Sequence, residues 1–295
     1  MDMDTTKTMA IKRPRRRTER RTRGRRVVRE GAPPPLVPAK AGMLLDSRLR
    51  GNERGEGGLA KRKAIAVGDL NAADLYRLMA WLSPAYPIGA FSYSSGIEWA
   101  VEAGDITDAA TLEHWLGVMI SDGSGFCDAV FFSHAHRAVA KSDDGALRTV
   151  AEFAAAFAAS RERHLETTAQ GRAFLDTTRA AWPTAASDRL LLVYDGAVAL
   201  PVAVAVASAG HGIALAPALY AYLQATTANL VSAGVRLIPL GQTDGQRILS
   251  ALEPLLAATA ERALATALDD AGSAAFRADL ASMRHETQHT RLFRS

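Results

Sequence analysis

The chain has 295 residues, of which 48% are hydrophobic but only 6% aromatic; that length fills a sizeable core, and alanine-rich composition with few β-branched runs argues for close-packed helices and against sheets. The net charge of +4 conceals a division, because residues 1–63 hold 19 Lys and Arg against 7 Asp and Glu, a surplus of +12, while residues 64–295 hold 16 against 24, a deficit of −8. An acidic body repels a phosphate backbone, which speaks against nucleic-acid binding, and the single cysteine, Cys127, excludes an internal disulfide and any zinc site built from several thiolates.

In chain order, "IKRPRRRTERRTRGRRVVRE", "GAPPPLVPAK" and "LRGNERGEGG" are too charged and too rich in proline and glycine to bury a face. Residues 1–66 are therefore expected to form a disordered basic extension, and residues 67–295 a single compact all-α domain of about eight to ten helices. No apolar stretch follows the arginines, since "APPPLVPAKAGMLL" is broken by four prolines and a lysine; with no export signal and one thiol, a cytoplasmic protein is expected. The basic arm as a nucleic-acid binder is an alternative reading, set against a dispensable tail.

The first helix, "AADLYRLMAWL", is expected to be capped by Asn71 or Asp69. "LSPAYPIGAFSYSSGIEWAV", residues 82–101, reads as a loop leading into a helix: Pro84 and Pro87 force extended backbone before them, Gly89 frees a turn, and the serines cap the helix behind them. Thr107 is the expected cap of "DAATLEHWLGVMI", where Leu112, Trp115, Leu116 and Met119 keep helical spacing. Next come "GFCDAVFFSHAHRAVA", "GALRTVAEFAAAFAAS" and "RERHLETTAQGRAFLDTTRAAW", the last stopped by Pro183. Residues 196–235 carry no Asp, Glu, Lys or Arg. A span needs roughly 20 continuous apolar residues, and Pro201, Gly210, His211, Gly212 and Pro217 cut this stretch into two buried helices, or helices burying a face against another subunit. In "LIPLGQTDGQRILSALEPLLAATAERALATALDD", Thr243 stands three residues before Gln246, the capping-box spacing, and Pro254 is expected to kink or divide the run. "SAAFRADLASMRHE" is the last helix.

Several motifs suggest chemistry. "HETQH", His285 to His289, fits H-E-x-x-H by letter and suggests a zinc metallopeptidase, but only "TRLFRS" follows it and offers no third ligand. His134 and His136 lie two apart, about 200° around a helix, and cannot easily share a metal; each is expected to be solvated or to cap. His164 and Glu166 have the same spacing. "SYSSG" lacks the first glycine and the preceding strand of a nucleophile elbow. No Gly-Lys dipeptide occurs, so no P-loop is present. No catalytic, metal-ligating or cofactor-binding residue is assigned, and Cys127 reads as a small buried hydrophobe.

Together, "LSPAYPIGAFSYSSGIEWAVEAGDITDAATLEHWL", "PLGQTDGQRILSALEP" and "SMRHETQHTRLFRS" resemble the urease accessory proteins of the UreF family, in the same order. The resemblance implies an all-helical, usually dimeric, non-enzymatic protein without a cofactor of its own. It also implies binding to the accessory protein UreD (also called UreH) and to the GTPase UreG, in an assembly that delivers nickel to apo-urease, with no nucleic acid or membrane involved. Carried over position by position, it points to Arg284, His285, Glu286, Gln288, Arg291, Leu292 and Phe293 as tail contacts to UreD/UreH or to the body. Gln242, Asp244 and Gln246 form a second group, and Ser92, Tyr93, Gly96 and Glu98 a third. On this reading the tail orders when UreD/UreH binds and only then admits UreG, and residues 82–101 lie close enough to touch it. The basic head corresponds to nothing in the family pattern.

Overall fold

The computed structural model describes residues 70–294, and among them every regular element is a helix. The expected basic extension lies outside the described residues. Helix α1 (Ala72–Trp81) is capped by Asn71, whose Oδ1 accepts the Asp74 amide at 2.9 Å. A run of turns and a short 3₁₀ segment, Ala90–Ser92, lead to α2 (Ile97–Glu102). Helix α3 (Ala109–Ser121) is opened by Asp108, not by Thr107. The Asp108 carboxylate accepts the Thr111 amide at 2.9 Å, and Thr111 Oγ1 accepts the Asp108 amide at 3.0 Å. A full negative charge at the positive end of the helix outcompetes the neighbouring hydroxyl, and the bond from the Thr111 amide holds the Asp108 carboxyl below its usual range.

Helices α4 (Ser124–Ala140), α5 (Asp144–Ala156) and α6 (Arg161–Ala181) follow, the last two capped by Asp143 and Ser160. The chain turns at Pro183 into α7 (Ala185–Val193), and the uncharged stretch becomes α8 (Leu200–Gly210) and α9 (Leu215–Leu237). Helix α10 (Gln242–Ala265) starts one residue before Thr243, with the Gly241 amide donated to Asp244 at 3.1 Å, so Thr243 is not the cap. Pro254 lies within α10 and does not divide it. Helix α11 (Phe276–His285) ends the regular structure.

The core is built around α8, buried at every residue from Leu200 to Ser208 and packed against α4, α6, α7 and α9. Alanines and valines suit this central place because they let neighbouring backbones come close; full burial of each valine contributes about 1.5–3 kcal/mol. Gly171 of α6 shows how close: a Cβ there would lie 2.1 Å from the Val198 carbonyl oxygen. Among the described residues no helix is long and apolar enough to cross a membrane.

Histidines close carbonyls at several helix ends, His211 that of Trp182 at 3.2 Å among them. His136 bonds the Ile213 carbonyl at 2.8 Å, His134 that of Thr266 at 3.0 Å, and His164 Nδ1 that of Ala155 at 2.9 Å. His134 and His136 face different elements and share no ligand. His136 is buried rather than solvated, and burial lowers its pKa. Cys127 is buried, and burial raises its thiol to about 12, leaving it protonated and unreactive.

Candidate partner-binding site

The packing of α11 onto α2 and α6 brings the C-terminal tail against the 82–101 segment. The approach depends on Gly96, which has φ +83°; a Cβ there would lie 2.6 Å from the Ser282 backbone nitrogen. Ser160, the cap of α6, also bonds Ser282 Oγ at 2.6 Å, so one hydroxyl both opens α6 and receives α11.

Glu98 of α2 is the hub. Its Oε1 accepts the Leu292 amide at 2.6 Å, and its Oε2 accepts the Phe293 amide at 2.9 Å and meets His285 Nε2 at 3.1 Å. The other ring nitrogen, His285 Nδ1, lies 2.6 Å from Glu162 Oε2, whose second oxygen accepts Arg291 at 2.6 Å. Glu286 accepts the Arg161 amide at 2.8 Å, Gln288 donates to Glu102 at 2.5 Å, and the Arg294 amide donates to the Ser92 carbonyl at 2.8 Å. Phe293 is buried under the Arg236 guanidinium, which lies 4.3 Å from its ring centre and 3.6 Å from that of Phe91. Burial holds the Arg236 pKa below its usual range.

The tail and the 82–101 segment therefore touch, and among the residues expected there, Ser92, Gly96, Glu98, His285, Glu286, Gln288, Arg291, Leu292 and Phe293 converge. Tyr93 is buried beside them, while Arg284 points outward, exposed. The tail is seated on the body in this structure. Gln242 and Gln246 stand apart and exposed at the start of α10, where Asp244 bonds only within its own turn, to Gly241 and Arg247. Glu162 and Arg236 were not anticipated. Glu162 carries no signal of its own in "RERHLE"; Arg236 does carry one, as the first charge after the long uncharged stretch.

The zinc-peptidase reading of "HETQH" fails on geometry. Helix α11 ends at His285, the next residues turn back through Thr287 and Gln288 amides onto the Arg284 and His285 carbonyls, and His289 is exposed, so the two histidines do not share a helical face. Both His285 nitrogens are already bound to carboxylates, and among the described residues no group of three His, Cys, Asp or Glu is disposed to hold a metal.

Beneath the site lies a buried polar network. Arg163 pairs with Asp128 at 2.8 Å and Glu166 at 3.3 Å, Tyr222 donates to Asp128 at 3.1 Å, and Ser95 donates to Glu166 at 3.0 Å. Burial raises the Asp128 carboxyl and the Tyr222 phenol. Burial pulls Arg163 down, but Glu166 and Asp128 overcome this and leave it raised. Two small cavities of about 50 and 60 Å³ adjoin these groups, and the polar groups set in their largely apolar walls could each partner an ordered water.

The UreF family model matches residues 106–253. A urease accessory protein UreF of Rhodopseudomonas palustris strain BisB18 is 61% identical over 230 residues, covering 78% of this chain and 95% of that protein. The chain belongs to the UreF family of urease accessory proteins. A second relative, the urease accessory protein UreF of Bradyrhizobium diazoefficiens strain USDA 110, is 59% identical over 240 residues, covering 80% of this chain and 99% of its own. The UreF family match takes in Glu162, Arg236 and the "GQTDGQ" turn, while Ser92, Glu98 and the tail flank it on either side.

Proposed function

We propose that this UreF-family protein is a non-catalytic cytoplasmic adaptor that grips UreD/UreH through α11 and the tail, offers a surface to the GTPase UreG, and so serves nickel insertion into apo-urease. The observation that carries this reading is the two-sided character of α11. Its inner face, Ala278, Ala281, Ser282 and His285, is buried on the body. Its outer face sets Phe276, Leu280 and Met283, at i, i+4 and i+7 and 76%, 47% and 47% exposed, in one apolar stripe, and the tail adds exposed Leu292. Contiguous apolar surface of this kind marks a protein-binding face. Arg284 at its edge adds a cation to that face.

UreG is assigned to the polar "GQTDGQ" turn, through Gln242, Asp244 and Gln246, together with the 82–101 surface. Self-association is part of the same proposal, supported by the exposed Leu75, Tyr76 and Met79 of α1. The deciding experiment replaces Leu280 and Met283 together by Asp and measures co-purification with UreD/UreH. Binding is expected to fall by at least about tenfold, the loss of one to two buried apolar anchors, while circular dichroism and thermal unfolding stay as in the unmodified chain. Unchanged affinity in a folded variant refutes the assignment of α11.

A further inference from the structure

We propose that the groove between the end of α5, the start of α6 and the tail receives an acidic segment of the protein that covers α11, whose carboxylates pair with Arg161 and Arg284. This deepens the assignment of α11 to UreD/UreH and rests on it.

The groove is open and has a volume of about 820 Å³. Pockets of roughly 300–1,000 Å³ take a drug-sized ligand, so several side chains of a peptide fit here. Its apolar lining comes from the alanines between residues 155 and 159 and from Leu165, which is 55% exposed. Its charged lining is Arg161, Glu162, Glu286 and Arg291. Arg284 stands on α11 one turn after Leu280 and two residues before Glu286, and so joins the apolar stripe of α11 to the groove.

Charges around the groove are unevenly partnered. The carboxylates there are held by donors of the chain itself: Glu98 takes the Leu292 and Phe293 amides, Glu102 the Gln288 carboxamide, Glu162 the Arg291 guanidinium, and Glu286 the Arg161 amide. The guanidiniums of Arg161 and Arg284, both exposed, have no partner among the described residues. Arg163, two residues from Arg161, makes the contrast, being tied to Asp128 and Glu166. Exposed carboxylates without an ion pair among the described residues stand elsewhere: Glu253, Glu261, Asp269 and Asp270 on α10 and the segment after it, and Glu152 of α5 within reach of Tyr194.

On a body that carries 24 Asp and Glu against 16 Lys and Arg over residues 64–295, two unpaired cations beside an apolar stripe are a local exception. Arginine is suited to the task, because its planar fork meets a carboxylate through two parallel hydrogen bonds. Charges of this kind at the rim of an interface orient the partner and speed its encounter more than they add affinity. The occupant is a protein segment rather than a nucleic acid. A phosphate backbone carries its charge at fixed, close intervals and would meet Glu162 and Glu286, whereas a peptide places carboxylates on Arg161 and Arg284 and apolar side chains on the alanines and Leu165.

The test is the affinity of the full chain for UreD/UreH between about 0.05 and about 0.5 M salt. Arg161→Gln combined with Arg284→Gln is expected to lower affinity about tenfold at the low end, mainly through slower association, and the loss is expected to shrink at the high end as ions screen the pairs. Neither guanidinium has a partner in the described chain, so circular dichroism and thermal unfolding are expected to stay unchanged. Ala159 is exposed in the groove, and Ala159→Glu and Ala159→Lys place opposite charges there on side chains of similar length. Ala159→Glu is expected to weaken binding, and Ala159→Lys to leave it unchanged or strengthen it. Leu280→Asp with Met283→Asp, run alongside, separates the two assignments. Retained binding in that variant removes the assignment of α11 itself, whereas loss there with unaltered affinity and salt dependence in Arg161→Gln/Arg284→Gln overturns the acidic segment alone. Equal effects of Ala159→Glu and Ala159→Lys overturn it too, as does oligonucleotide binding that Arg161→Gln/Arg284→Gln abolishes, which would assign the groove to phosphate.

Discussion

At Gly96 a methyl group would have no room, because its position lies 2.6 Å from the Ser282 nitrogen and 2.8 Å from the Ser282 Cα, both backbone atoms of α11. Gly89 has a comparable φ, +73°, but a methyl there would find nothing within 4 Å. Gly96→Ala is therefore expected to destabilise by about 3 kcal/mol and to lift α11 off α2, whereas Gly89→Ala loses only about 1–2 kcal/mol to the left-handed backbone; urea unfolding of the two variants checks the contrast. Arg163→Met leaves Asp128 and Glu166 facing each other without their cation, and a loss of about 3 kcal/mol is expected. Adding Asp128→Asn should recover part of it, again by urea unfolding. The candidate residues themselves were legible as motif letters, but the reasons for them were not. Gly96 needs glycine because of Ser282, and His285 is buried because of Glu98 and Glu162, and no local pattern joins positions so far apart in the chain. The "HETQH" spacing misled for the same reason: it reports what a helix would do, and the helix stops at His285.

Among the elements, α10 carries the clearest local conflict. Pro254 removes one backbone donor from the middle of a 24-residue helix and sits on its exposed side. Pro254→Ala restores the donor and is expected to stabilise the protein by about 1–3 kcal/mol, read as a higher midpoint in thermal or urea unfolding; no gain would mean that the surrounding helices already absorb the defect. Helix limits were legible where one signal stood alone, as at Pro183 after α6. They were not where capping residues compete: Asp108 displaces Thr107, and Asp244 takes the Gly241 amide in place of a Thr243 cap. The uncharged stretch was readable as two buried helices, but that α8 would be the central one depends on which helices surround it.

For the whole molecule, two histidines, the buried His136 and the half-buried His211, set an acid limit. Burial lowers the pKa of His136, and likewise that of His211, so between their folded values and about pH 6.5 the unfolded chain binds more protons than the folded one. Their contribution to stability is present above that range and is lost as pH falls through it. The urea midpoint is expected to drop on acidification below about pH 6.5, and His136→Gln, which can still donate to the Ile213 carbonyl, should flatten the drop. The all-α class was legible from composition because alanine spacing is a property of the chain as a whole, whereas the meeting of α2 with α11 is a tertiary event with no counterpart in composition. The burial of α8 also orders events at the ribosome. Helices α4 to α7 are synthesised before the helix they must cover, and their apolar faces stay open through that interval. Nascent chains that stall before residue 200 have no centre to collapse on and are the aggregation-prone species, so production of this protein responds to translation speed and to chaperone supply more than its finished stability alone would indicate.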